Sequence, residues 1–379
     1  MSKQIYLDNA ATTQMSDAVK QAMEPYLQEN YGNASTAYSI GEDARRELEK
    51  SREVIAATLH AKTSEIYFTS GGSESDNWAV KNIAAACKKG RHIITTNIEH
   101  HAILNSCEYL EKLGYDVTYL EVDGDGLISP EQVMDAIRPD TTLISVMFAN
   151  NEVGTIEPIY QIGKIAREKQ ILFHTDAVQA YAQIPLSVNY YPVDLLSASA
   201  HKFHGPKGVG FLYIRDGIDI PSFIHGGSQE RGKRAGTENV AGIVGMAKAA
   251  EIAYGNMRKR VQKEIMLRNY LIERVLHEIP DTKLNGHRSI RLPGNVNFSF
   301  KGLEGASLLI LLDEDGICAS GGSACNTGEE RISYVIKALG VPEEYAPGTI
   351  RLTLCGDTTR ADVDTALASL KRNIAILRG

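Results

Sequence analysis

The chain has 379 residues, of which 43% are hydrophobic and 23% charged, and a formal net charge of -7 at pH 7. That length holds two domains, or one large domain with an appendage. The mildly acidic balance argues against direct nucleic-acid binding, and no apolar run is long enough to span a membrane.

The N-terminus lacks the apolar core of a signal peptide, so the cytoplasm is the default location. Five cysteines (Cys87, Cys107, Cys318, Cys325 and Cys355) form no C-x-x-C pair. An odd count argues against a disulfide framework, and no ligand spacing supports a metal site. Most are expected to be buried small hydrophobes, with Cys325 the exception.

Residues 6–13 read as a short strand entering a polar turn. Residues 17–27 and 41–59 have helical spacing, with a loop at 31–36 between them. Residues 65–69 form a strand that stops at Ser70-Gly71-Gly72-Ser73, and helical residues follow to about Lys89. Further strands are expected at 92–96, 116–120, 143–148 and 171–176. Ser129-Pro130-Glu131-Gln132 reads as a helix start, with Ser as N-cap, Pro in the first turn and Gln closing a capping box. The run 193–196 leads into a turn of small residues carrying His201-Lys202, and residues 210–214 lead out as a strand.

Near-continuous apolar strands alternating with helices indicate a mostly parallel sheet covered on both faces. In such sheets ligands bind beyond the carboxyl ends of the strands. The polar clusters 70–77, 99–101, 150–152 and 176–179 follow strands directly, so the chemistry is expected on one rim. Gly255-Asn256 separates two helical segments, residues 295–300 alternate like an antiparallel strand, and 305–313, 332–339 and 359–377 read as helices. The expected division is a large domain, 16–255, and a smaller α+β domain made of 1–15 and 256–379.

A lysine amine in a confined site can lose its proton and form a Schiff base with an aldehyde. Pyridoxal phosphate (PLP) bound through Lys202 would need an acid partner for its ring nitrogen, a phosphate cradle and a group against the ring. Asp176 stands at a strand end, Gly71-Gly72-Ser73 opens a helix whose N–H groups suit a phosphate, and His100 could stack on the ring. Each also has an ordinary reading: a surface lysine, an N-cap, a glycine-rich turn, a structural histidine. Their joint order along one α/β chain is what carries information.

In that order, the chain resembles the cysteine desulfurases of the NifS/IscS type, fold-type I PLP enzymes of the class-V aminotransferase family. The resemblance rests on residues 6–13, 69–77, Glu99-His100, 150–154, 176–179, His201-Lys202, 226–240 and 319–325, and spans nearly the whole chain. It implies a large domain whose mostly parallel sheet is sandwiched by helices, plus a smaller α+β domain carrying the Cys325 loop. It also implies that Lys202 forms the Schiff base, His100 stacks on the ring and serves as a second acid/base, and Asp176 pairs with the ring nitrogen. By the same resemblance Asn151 and Gln179 contact the cofactor oxygen or the substrate, and Gly72, Ser73, Ser199 and His201 hold the phosphate. Thr237 resembles the residue that reaches the neighbouring subunit's phosphate, which implies a homodimer with shared active sites.

Cys325 takes the place of the nucleophile that receives sulfur from L-cysteine as a persulfide, leaving L-alanine. The sulfur then passes to an acceptor protein, an iron–sulfur scaffold or a thiolation enzyme. The Cys325 loop, rich in Gly and Ser, resembles the long form of the family. Arg351 takes the place of the clamp on the substrate carboxylate, where a planar fork makes a bidentate fit. Asn33 also faces the substrate by this resemblance.

Three features depart from the family pattern. Ala34 and Tyr38 stand where Pro and His are common, Ser73 replaces the commoner Thr, and the sequence stops at Gly379 without the longer tail that binds a scaffold in some relatives. A selenocysteine lyase or another fold-type I PLP enzyme is the alternative, although an aminotransferase leaves the Cys325 loop unused. A non-enzymatic homologue sits poorly with Lys202, Asp176, His100, Cys325 and Arg351 all present.

Overall fold

A computed structural model describes residues 4–87, 89–321 and 332–379. The strands in chain order are β1 (Ile5–Tyr6), β2 (Ile66–Thr69), β3 (His92–Thr96), β4 (Asp116–Leu120), β5 (Thr141–Ser145) and β6 (Leu172–Asp176). They continue as β7 (Leu195–Ser199), β8 (Gly210–Ile214), β9 (Thr282–Leu284), β10 (Asn295–Phe300), β11 (Ile317–Cys318) and β12 (Thr349–Thr353). Seven of them form the central sheet, in the order β2-β8-β7-β6-β5-β3-β4. β8 runs antiparallel to both neighbours, and the other pairings are parallel.

The near-continuous apolarity of these strands has a direct cause. Successive side chains point to opposite faces, and both faces are covered. Ile94, Ile144, Leu196 and Phe211 enter one core, while their chain neighbours Ile93, Leu143, Leu195 and Leu212 enter the other. Helices cover the first face, among them Ser39–Leu59 and Val240–Gly255.

A second, antiparallel sheet has the order β12-β10-β9, and β1 pairs in parallel with β11. Leu7, Phe298, Ile350 and Leu352 pack there with Leu271 of helix Met257–Glu278 and Leu370 of helix Arg360–Arg378 in a separate core.

β3, β4 and β8 lie where the sequence pattern places them, and the expected capping box is present. Gln132 N donates to Ser129 Oγ at 3.2 Å, and Ser129 N to Gln132 Oε1 at 2.7 Å. β5 begins and ends earlier than its apolar run, because register pairing with β6 stops at Ser145↔His174. Val146 and Phe148 stay buried beyond that point, and their N–H groups still bond to His174 O and Asp176 O. The N-terminal strand is only two residues long. Of the four described cysteines Cys107 alone is buried; Cys87, Cys318 and Cys355 are half-buried, with Cys318 Sγ accepting from Gln4 Nε2 at 3.0 Å. Among the described residues no helix is long and apolar enough to cross a membrane.

This topology gathers chain ends on one rim. β2, β5, β6 and β7 finish there, and antiparallel β8 starts there, with Gly210 paired to both Thr69 and Ser199. A Cβ on Gly210 would lie 2.4 Å from Ala198 O and 2.7 Å from Gly71 Cα. Only glycine lets the two turns meet this closely. A buried ion pair, Arg52 with Glu230 at 2.8 Å, ties the segment before Arg234 to the sheet, since Glu230 also accepts from Phe68 N at 2.9 Å.

Candidate active site

The rim encloses a cavity of ≈ 310 Å³, within the ~300–1,000 Å³ usual for small-molecule sites. Gly72, Ser73, His100, Asn151, Asp176, Gln179, Ser199, His201, Lys202 and Arg351 all line it. The two other expected residues with described positions do not. Asn33 Oδ1 accepts from Ser35 N at 2.9 Å within its own turn, and Thr237 is exposed on the loop before helix Val240–Gly255. Cys325 lies outside the described residues.

Lys202 ends a short helical turn, Ala200–Lys202, directly after β7. Its Nζ donates to Ala10 O at 2.6 Å and to Ala11 O at 2.9 Å, and Gln179 Nε2 also donates to Ala10 O, at 3.0 Å. The N-terminal segment thus forms a wall of the cavity, built from backbone carbonyls.

Asp176 closes β6 and is buried. Its Oδ1 accepts from Val178 N at 2.8 Å, so one oxygen serves the local turn while the carboxylate faces the cavity. Burial raises its pKa, and His100 and Lys202 draw it back. Asp76 lies close by, 3.7 Å from His174, and burial followed by the charge of Asp176 pushes its pKa well above the ordinary range. Two buried carboxyls that feel each other's charge cannot both ionise easily, and burial with that repulsion favours the protonated form of Asp76. His174, held between Ser145 Oγ and Ser197 Oγ at 2.9 Å each, is driven down to about 3 by burial and stays neutral.

His100 is the N-cap of helix His101–Lys112; its Nδ1 accepts from Ala102 N at 3.1 Å. That bond leaves the neutral ring's proton on Nε2. Burial lowers its pKa, while Asp176 opposes the shift. His201 Nδ1 meets Thr12 Oγ1 at 3.1 Å, and burial, then Lys202 and Lys207, push this histidine down to about 4. At neutral pH it is an uncharged hydrogen-bonding group.

The turn after β2 leads into a helical segment running from Gly72–Asn77 through a π turn at Trp78–Asn82 to Ile83–Ala86. Gly71 at its start has no side chain with which to cap it, so its first N–H groups suit an anion. A Cβ on Gly72 would come within 2.5 Å of Val178 Cγ2. Arg351, on β12, is 2% exposed; Nη1 donates to Asn151 O at 2.9 Å and Nη2 to Asp8 Oδ1 at 2.8 Å.

Sequence reasoning gave no role to Asp8, Ala10, Ala11, Asp76 or Tyr334. The first four lie inside stretches that carry the family resemblance, so a signal existed without a stated chemistry. Tyr334, whose OH donates to Glu99 O at 2.5 Å, gave none.

These donors fit PLP: an amine for its aldehyde, a buried carboxylate for its ring nitrogen, and an uncapped helix start with neighbouring hydroxyls for its phosphate. Asn151 Oδ1, buried against the cavity with no hydrogen-bond partner among the described residues, marks a place for a polar ligand group. Fold and site together define a fold-type I PLP-dependent enzyme. The chain belongs to the aminotransferase class-V family, whose model matches residues 5–366.

It is 52% identical over 379 residues to the cysteine desulfurase IscS of Dictyoglomus turgidum, covering 100% of this chain and 96% of that protein. A solved NifS-like protein superposes with a TM-score of 0.93 at 40% identity, covering 99% of this chain and 100% of that one. A structure of SspA in complex with cysteine superposes with a TM-score of 0.82 at 36% identity, covering 94% of this chain and 100% of that one.

Proposed function

We propose that this chain is a PLP-dependent cysteine desulfurase that converts L-cysteine to L-alanine and passes the sulfur on through Cys325. One observation supports the assignment best. The backbone of Ser320 is hydrogen-bonded both ways to Arg351, at 3.1 and 2.6 Å, and Cys325 lies five positions further on. Five residues reach at most about 17 Å, a span compatible with delivery of the thiol to the cavity that Arg351 lines.

Lys202 would hold the PLP aldehyde carbon, Asp176 the protonated ring nitrogen, and the Gly72–Ser73 turn with Ser199 and His201 the phosphate. When bound, PLP supplies an electron sink for the substrate's Cα–H and Cβ–S bonds. Arg351 orients the substrate through its carboxylate. Lys202 Nζ would take and return the Cα proton, and His100 Nε2 would serve as a second acid/base. The Cys325 thiolate attacks the substrate sulfur. A sulfur–sulfur bond forms, the carbon–sulfur bond breaks, and its electron pair stays with the three-carbon fragment, which takes up a proton and leaves as alanine.

The unit holding PLP is residues 16–255, and 1–15 with 256–379 form the unit carrying Cys325; the core of Leu7, Leu271, Phe298, Ile350 and Leu370 draws only on the second unit and supports this division, while Leu292, Val335 and Ile336 of that unit pack into the core of the first. Thr237 is exposed, as suits a residue reaching the phosphate of a second copy in a homodimer. The persulfide passes to an acceptor protein for iron–sulfur assembly or another thiolation, and the setting is the cytoplasm. Borohydride reduction of the PLP-loaded protein followed by peptide mapping tests the cofactor site. The expected result is a phosphopyridoxyl group on Lys202; labelling of a different lysine contradicts it.

A further inference from the structure

Arg351 has a fixed companion that the mechanism above does not use. A buried guanidinium is costly unless it is paired and hydrogen-bonded. Among the described residues the pairing comes from two directions: Nη2 meets Asp8 Oδ1 at 2.8 Å, and Nη1 meets Asn151 O at 2.9 Å. The Asp8 side chain is 17% exposed and that of Arg351 2%.

Asp8 itself has little freedom. It bridges in parallel to Thr353, two residues beyond Arg351 on β12. Leu7 N donates to Cys318 O at 2.9 Å, and Thr353 N to Leu7 O at 2.6 Å. Tyr6 OH donates to Asp8 O at 3.1 Å and to Thr12 O at 2.8 Å. The carboxylate is therefore delivered by a segment bonded to β11 on one side and β12 on the other. An arginine side chain has several soft torsions, and two anchored acceptors fix the plane of its fork.

We propose that Asp8 is a positioning residue that sets the plane in which Arg351 receives the substrate's α-carboxylate, and thereby the enzyme's selectivity for α-amino acids over amines lacking that group. The proposal rests on the reading of Arg351 as the carboxylate clamp. Asp8→Asn keeps the shape and removes the charge, so the fork loses its ionic anchor and presents a displaced plane. Misplacement of an orienting group on the ångström scale costs rate or affinity steeply.

The test uses the PLP-loaded enzyme and two thiol inhibitors, 3-mercaptopropionate, which has a carboxylate and no amine, and cysteamine, which has an amine and no carboxylate. In Asp8→Asn, Ki for 3-mercaptopropionate and KM for L-cysteine are expected to rise about tenfold or more, while Ki for cysteamine stays within about twofold. Asp8→Glu, which restores the charge at a shifted position, is expected to give a smaller rise confined to the same carboxylate compounds, and it carries the test should the Asn variant not fold. Equal weakening of both inhibitors, no change in either, or tighter binding of 3-mercaptopropionate overturns the proposal. Arg351→Ala, run in parallel, separates the two readings. If it leaves 3-mercaptopropionate binding unchanged, the clamp reading fails and the proposal with it; if it weakens that binding while the Asp8 variants do not, only the role of Asp8 fails.

Discussion

Lys202→Ala is expected to lower kcat/KM for L-cysteine on the order of 10⁴-fold or more, with the fold retained. Two contributions combine: the amine that holds the cofactor covalently and the base that moves the Cα proton, the latter alone being worth roughly 10²–10⁴-fold. The fold is expected to survive because the turn does not depend on the side chain. Phe203 N and Gly205 N both bond to Ala200 O, and Lys202 O accepts from Gln183 Nε2 at 3.0 Å. The carbonyls of Ala10 and Ala11 lose a donor but border a cavity that admits water, so the stability cost is about 1 kcal/mol. Steady-state kinetics with thermal unfolding checks both halves. Activity within tenfold of the parent enzyme would remove Lys202 from the chemistry.

Asp176→Asn is expected to lower kcat about 10²–10³-fold, the scale seen when one preorganised electrostatic contact to developing charge is lost. The substitution preserves the local turn, because an amide oxygen can still accept from Val178 N. What disappears is the buried carboxylate proposed to face the ring nitrogen, and with it part of the affinity for PLP is expected to go. A second readout has a definite sign. Asp176 raises the pKa of His100 against the lowering effect of burial, so in the variant His100 titrates lower still. The acid limb of the pH–rate profile governed by His100 moves to lower pH. A limb that moves upward, or a kcat within a few-fold of the parent value, contradicts these roles.

Much of this architecture could be read from residue order. Among the strands that matched, β3, β8 and β10 are buried at every position, which makes their runs end where their pairing ends, while β4 matched although most of it is only half-buried. At β5 burial and pairing part company: residues 146–149 lie over the core beyond the last ladder pair, and apolarity alone could not show the stop. Lys202, Asp176 and His100 were legible because each stands at or just beyond a strand end and the sheet brings strand ends together. The pairing of Asp8 with Arg351 was not, since 343 positions separate the two residues and only the junction of β1, β11 and β12 closes that gap. Asp76 reads as an ordinary polar residue in a helix; its proximity to Asp176 depends on the turn at Gly71 meeting the start of β8 at Gly210.

Sulfur is proposed to leave L-cysteine through Cys325 in a site built around Lys202. A single reaction tests it most directly: purified enzyme with PLP, L-cysteine and a thiol reductant, followed for alanine and sulfide, with Cys325→Ala alongside. The account predicts equal yields of the two products from the parent enzyme and loss of both in the variant. Alanine or sulfide formation that persists unchanged in Cys325→Ala contradicts it.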